Sequence, residues 1–122
     1  MKSVKFVATI GVNEGYSLAD QNKVDLVGFC ELYKEVAKEV FEVQGQYVSA
    51  TASPVQVLYH TDWGCPVGGE NCVMITGICN PQFSEIKAWK QAVLSVCKEL
   101  KARLNQSTVT VEFIESEIEY LN

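Results

Sequence analysis

Residues 47–79 read YVSATASPVQVLYHTDWGCPVGGENCVMITGIC. The first third is rich in Val, Tyr and Thr and alternates, as a half-buried strand does. Its phase slips at Ser53-Pro54: Val48, Ala50 and Ala52 fall on even positions, Val55, Val57 and Tyr59 on odd ones. Proline donates nothing to a strand ladder, so a bulge or an edge position is expected there. The last eight residues, from Cys72, are apolar on both faces and read as a second strand. Two strands in direct succession, with only a polar loop between them, are the mark that separates this chain from a simple β-α-β repeat.

Helical periods flank the pair. From Lys23 to Val43, Leu26, Phe29, Cys30, Tyr33, Val36, Ala37 and Val40 fall on one stripe at ~100° per residue. Gly45 stands where a helix-ending glycine belongs, and Ser17 or Asp20 is the expected N-terminal cap. From Phe83 to Leu104 the stripe is Ile86, Trp89, Val93, Val96, Cys97, Leu100 and Leu104, with Ser84 as the expected cap. Outside the helices, Val4, Phe6, Ala8, Ile10 and Val12 alternate against Lys5, Val7, Thr9 and Gly11. The C-terminal run STVTVEFIESEIEYLN is a further strand, or two strands end to end.

The order is therefore β-α-β-β-α-β. An α+β, ferredoxin-like split βαβ domain is predicted over residues 1–122. Two helices cover one face of a four-stranded, mainly antiparallel sheet, with an extra C-terminal strand. The other sheet face is not uniformly polar, and the apolar positions of the last run change parity near Glu115. Both features predict a homo-oligomer, a dimer or trimer, that packs through the open sheet face and the C-terminal strand. The competing expectation is a bulge or a frayed tail.

Composition narrows function. The net charge is −5, which argues against nucleic acid as the main partner. No apolar run reaches the ~18 residues of a membrane span, and no secretory leader is legible. A soluble, cytoplasmic protein with five reduced cysteines is expected. Lys87, Lys90, Lys98 and Lys101 share a sector of the second helix. Such a sector is usually a solvated face, although Glu115, Glu117 and Glu119 could complement it across a subunit contact.

Chemistry concentrates in residues 60–72, HTDWGCPVGGENC, which hold the chain's single histidine. The cysteines there are seven residues apart, wrong for a zinc site, so no metal and no cofactor are expected. His60 as a general base and Cys65 as a nucleophile are the catalytic candidates. Tyr59, His60, Asp62 and Trp63 are the ligand-binding candidates, with Tyr16 from the first loop near Asn13 and Glu14. At about 11 residues the loop exceeds the usual 2–5 of a hairpin, and such excess length often carries function.

In element order and length, and in the layout of CKELKARLNQSTVTVEF followed by a terminal strand, the chain resembles the tautomerase superfamily, the macrophage-migration-inhibitory-factor type included. That resemblance implies a trimer of paired β-α-β units. It also implies an amino-terminal proline as base, whereas this chain begins Met1-Lys2-Ser3 and has no proline before Pro54. The reading that follows is a small, oligomeric, non-enzymatic protein that binds a small molecule or a partner protein, of the phage or mobile-element sequestering or inhibitory kind. The alternative is an enzyme of tautomerase-like architecture with His60 or Cys65 in place of the proline.

Overall fold

The structure, a computed structural model, describes residues 1–13 and 25–122. The elements are β1 (Lys2–Gly11), α1 (Leu26–Gln44), β2 (Thr51–Val57), a single 3-10 turn (Thr61–Trp63), β3 (Glu70–Ile78), α2 (Ile86–Arg103) and β4 (Thr110–Glu117). The strands form one sheet in the order β2-β3-β1-β4, and every neighbouring pair is antiparallel. This is the split βαβ arrangement expected from the sequence.

Each helix forms for local reasons. Asp25 caps α1, its carboxylate accepting from the Gly28 N–H at 2.7 Å, and Gly45 ends the helix at φ 73°. The expected caps Ser17 and Asp20 lie outside the described residues. Glu85, not Ser84, stands at the N-terminal cap of α2, without a side-chain bond. Its C-terminus closes tightly. Asn105 is left-handed (φ 53°), its N–H reaches the Ala102 carbonyl, and the Gln106 N–H reaches the Lys101 carbonyl. This is the Schellman arrangement that satisfies the last helical carbonyls.

The even positions of β1 face the helices, so Phe6, Ala8 and Ile10 are buried with Ile75 of β3 against Phe29, Val36, Val93 and Leu100. Burying each of these side chains other than Ala8 contributes about 1.5–3 kcal/mol. Tyr33 reaches across the layer to donate to the Val48 carbonyl at 2.7 Å. Arg103 ties the helices at their surface, ion-pairing with Glu99 on its own helix and with Glu35 and Glu39 on α1.

Two details resolve alternatives that the sequence leaves open. Pro54 takes the edge position rather than a bulge: among the described residues β2 pairs only with β3, in unbroken register from Thr51↔Thr76 to Val57↔Glu70. The C-terminal run forms one strand, and its faces do not exchange. Pairing with β1 runs unbroken from Thr9↔Thr110 to Lys2↔Glu117. Glu115 and Glu117 share the face of Val111 and Phe113 but stand exposed beyond the apolar cover. The parity change arises because the burial ends while the strand continues. After it, the Ile118 N–H donates to the Met1 carbonyl and the Tyr120 hydroxyl meets Asn80 Oδ1. The residues past Glu117 add no further strand.

Candidate functional site

The odd positions of β1 face away from the helices, and on that open face the strands enclose a groove of about 410 Å³. Pockets for small ligands run from roughly 300 to 1,000 Å³. Val7, Thr9 and Gly11 of β1 form its floor. On one side stand Val57, Glu70 and Cys72. On the other stand Thr110 and Glu112 of β4, with Thr108 and Gln106 from the turn before it. Register explains the assembly: Gly11 is opposite Cys72, Thr9 opposite Thr110, and Val7 opposite Glu112.

Two carboxylates, Glu70 and Glu112, therefore line one groove from strands that are not neighbours, Glu70 toward its Gly11 end and Glu112 toward its Val7 end. Gly11 makes room for its end: a methyl group there would overlap the Gln106 side-chain oxygen and lie 3.1 Å from Glu70 Oε1. The Gln106 amide is held from behind. Its nitrogen donates to the carbonyls of Asn13 (2.9 Å) and Leu104 (3.0 Å), so its oxygen must face the groove. Asn13 itself is buried, and among the described residues no donor reaches its side-chain oxygen. Cys72 is a groove residue but no nucleophile at neutral pH. Burial, with the Glu70 charge adding to it, pushes its thiol up to about 11.

The loop singled out by sequence hangs from the rim of this groove, since it leaves from Val57 and returns at Glu70. His60 caps the 3-10 turn: its Nδ1 accepts the Asp62 N–H at 3.0 Å. The Asp62 carboxylate lies 3.7 Å from the same nitrogen. The His60 ring packs on Trp63 at 5.7 Å between centroids, and Trp63 is 75% exposed. The Cys65 thiol points to the backbone carbonyls of Pro66 (3.5 Å) and Val57 (4.0 Å). Tyr59 is partly buried at the start of the loop. The structure thus groups His60, Asp62 and Trp63 and sets Cys65 on separate partners. Glu14 and Tyr16 lie outside the described residues.

Among the described residues no cluster of three His, Cys, Asp or Glu side chains could hold a metal ion. No described helix is long and apolar enough to cross a membrane. The lysine sector of α2 is divided. Lys90 sits over the Phe113 ring at 5.3 Å, a cation–π distance, while Lys98 and Lys101 border a small apolar cleft beside Val109 and Val111.

The fold is ferredoxin-like α+β, and its open sheet face carries a groove bordered by two glutamates. The chain belongs to the SAM lyase family, whose model matches residues 1–122. Among solved structures it is similar to a phage SAM lyase in complex with S-methyl-5'-thioadenosine, at 19% identity and a TM-score of 0.59, covering 93% of this chain and 81% of that one. The apo state of a phage SAM lyase matches with the same figures. No curated protein matches.

These findings correct two expectations. The chain is not a relative of the tautomerases: element order and length, which carried that resemblance, are shared by many unrelated proteins. The non-enzymatic sequestering protein is likewise overturned, because the family is one of lyases. That reading followed from the missing amino-terminal proline. It overlooked the groove, whose members are common residue types on separate strands.

Proposed function

We propose that this chain cleaves S-adenosylmethionine in the groove on its open sheet face. The observation that carries the reading is a groove bordered by Glu70 at one end and Glu112 at the other, in a chain whose whole length matches the SAM lyase family. S-adenosylmethionine is a sulfonium with an ammonium group on its side chain, so it is net cationic, and two carboxylates suit it. At 4 Å a unit charge pair is worth about 4 kcal/mol at an effective dielectric constant of 20.

Methylthioadenosine, the ligand in the related phage structure, is what remains when sulfur loses its aminocarboxypropyl chain. The bond from sulfur to that chain breaks and its electron pair goes to sulfur. The leaving group is a neutral thioether and needs no acid. A lyase adds no water, so the vacated carbon is filled from within the substrate, either by a new C–O bond from its own carboxylate, which closes a lactone, or by a C=C bond as the adjacent carbon loses its proton to solvent. Glu70 and Glu112 would hold the cationic substrate in the groove, and Thr9, Thr108 and Thr110 would supply neutral hydrogen bonds. Tyr59 and Trp63, on the loop rooted at the rim, would stack the adenine.

A second copy would cover the open face, where Ile78 and Val57 remain exposed, and close the groove. The whole chain would act as one domain, in the cytoplasm, where its substrate is made. The test is direct. Purified protein is incubated with S-adenosylmethionine and the products are separated by chromatography. Methylthioadenosine should appear in proportion to enzyme, without incorporation of labelled water into the other product. Failure to consume the substrate at micromolar enzyme would reject the reading. Light scattering tests the assembly: a monomer at working concentration would reject the second copy.

A further inference from the structure

The closed end of the groove has a one-sided hydrogen-bonding character. Both N–H groups of the Gln106 amide are committed to carbonyls, those of Asn13 and Leu104. Carbonyls only accept, so the amide cannot turn over, and an acceptor oxygen is left facing the space above Gly11. Glu70 Oε1 borders the same space, 3.1 Å from where a methyl group on Gly11 would stand. The position of Gln106 is fixed twice, by the helix-ending turn through its backbone and by the two carbonyls through its side chain.

We propose that Gln106 is a positioning residue that receives the α-ammonium of the substrate, together with Glu70. This rests on the reading of the groove as an S-adenosylmethionine site. The chemistry selects among the groups of that molecule. An amide that recognises adenine uses its oxygen and its nitrogen together, because the adenine edge presents a donor beside an acceptor. Here the nitrogen is spent, so adenine is poorly matched. A carboxylate would meet two acceptors and be repelled. An ammonium, with three donors and no acceptor, fits one neutral and one charged oxygen. The consequence is an enzyme that selects for the amino group and holds the chain at a fixed distance from the sulfur.

The experiment compares wild type with Gln106→Met, which keeps the length of the side chain and removes the acceptor. Three readouts are taken: KM for S-adenosylmethionine, KM or inhibition constant for the analogue lacking the amino group, and Kd for methylthioadenosine, which has no ammonium. The substitution should raise KM for S-adenosylmethionine by about 10-fold to 100-fold and leave the other two values unchanged. Equal weakening of all three would reduce Gln106 to a structural role and overturn the proposal. So would an unchanged KM. If Gln106→Met does not fold, Gly11→Ala, which fills the space with a methyl group, decides by the same readouts. A wild-type protein that neither binds methylthioadenosine nor consumes S-adenosylmethionine removes the parent reading and this one with it. An active wild type with a Gln106→Met variant that does not discriminate removes only this one.

Discussion

Val57 and Glu70 face each other across β2 and β3, as the last residue of one strand and the first of the next, and both line the groove. The loop between them therefore has its two feet on the site. Whatever orders the loop acts on the groove through those feet, although the groove itself is built from the sheet.

Glu70→Gln and Glu112→Gln are each expected to lower kcat/KM for S-adenosylmethionine by about 10-fold to 100-fold, the scale of one hydrogen bond to a charged group. Neither side chain is buried in the core, so the thermal midpoint should move little. Steady-state kinetics with a melting curve for each variant checks both halves. Full activity in both variants would remove the groove from the mechanism.

Methylthioadenosine is expected to change the emission of Trp63, which is exposed on the loop, and not that of Trp89, which is buried beside Phe6 with ring centroids 5.9 Å apart. Trp63→Phe should abolish the signal. A titration in which Trp63→Phe retains the full wild-type change would place the adenine elsewhere.

The buried thiols are expected to weaken the fold as the pH turns alkaline. Burial pushes Cys97 up to about 12, and burial with the Glu70 charge pushes Cys72 up to about 11. In the unfolded chain both ionise around their ordinary 9.0. Between pH 9 and 12 the unfolded state binds fewer protons than the folded one, so stability falls as pH rises. The contribution is fully present below pH 9. Denaturant midpoints from pH 8 to 11 should decline in wild type and decline less in Cys72→Ala. Neither thiol should react with iodoacetamide at pH 7 while the protein is folded.

Gly77→Ala is expected to destabilise by roughly 1–3 kcal/mol through overpacking. Its backbone is an ordinary strand conformation, so space is the reason. An added methyl group would strike the Ser49 carbonyl and approach the Phe6 ring to 2.7 Å. Urea denaturation measures the loss, and a midpoint unchanged from wild type would contradict the close packing.

The fold was legible because each element declares itself within a short window. The alternation of Val4 to Val12 and the stripes from Leu26 and Ile86 each need only one element to be seen, and the adjacent strands of 47–79 then determine the element order. Only the C-terminal strand misled: Glu115 changes the pattern without changing the face, and where the apolar cover ends is a tertiary fact. The site was far less legible. Rare residues drew the eye to His60, Trp63 and Cys65, whereas the groove is assembled from Gly11, Glu70, Gln106 and Glu112, all common types. Only the pairing of Val7 with Glu112 and of Gly11 with Cys72 brings them together. Alternation did mark the odd positions of β1 and the glutamate between Val111 and Phe113 as facing away from the helices, and that was the available signal.

The sheet has two rims, and both resist growth. Along β2, Pro54 offers no N–H to an incoming strand. Along β4, Glu112, Glu115 and Glu117 would confront the same residues of an identical strand laid parallel and in register beside it, a repulsive pairing of the kind that blocks edge association. Fibre-like extension, strand upon strand, is therefore discouraged at either end. The broad open face carries neither block, and a contact there between a fixed number of copies would close on itself rather than continue.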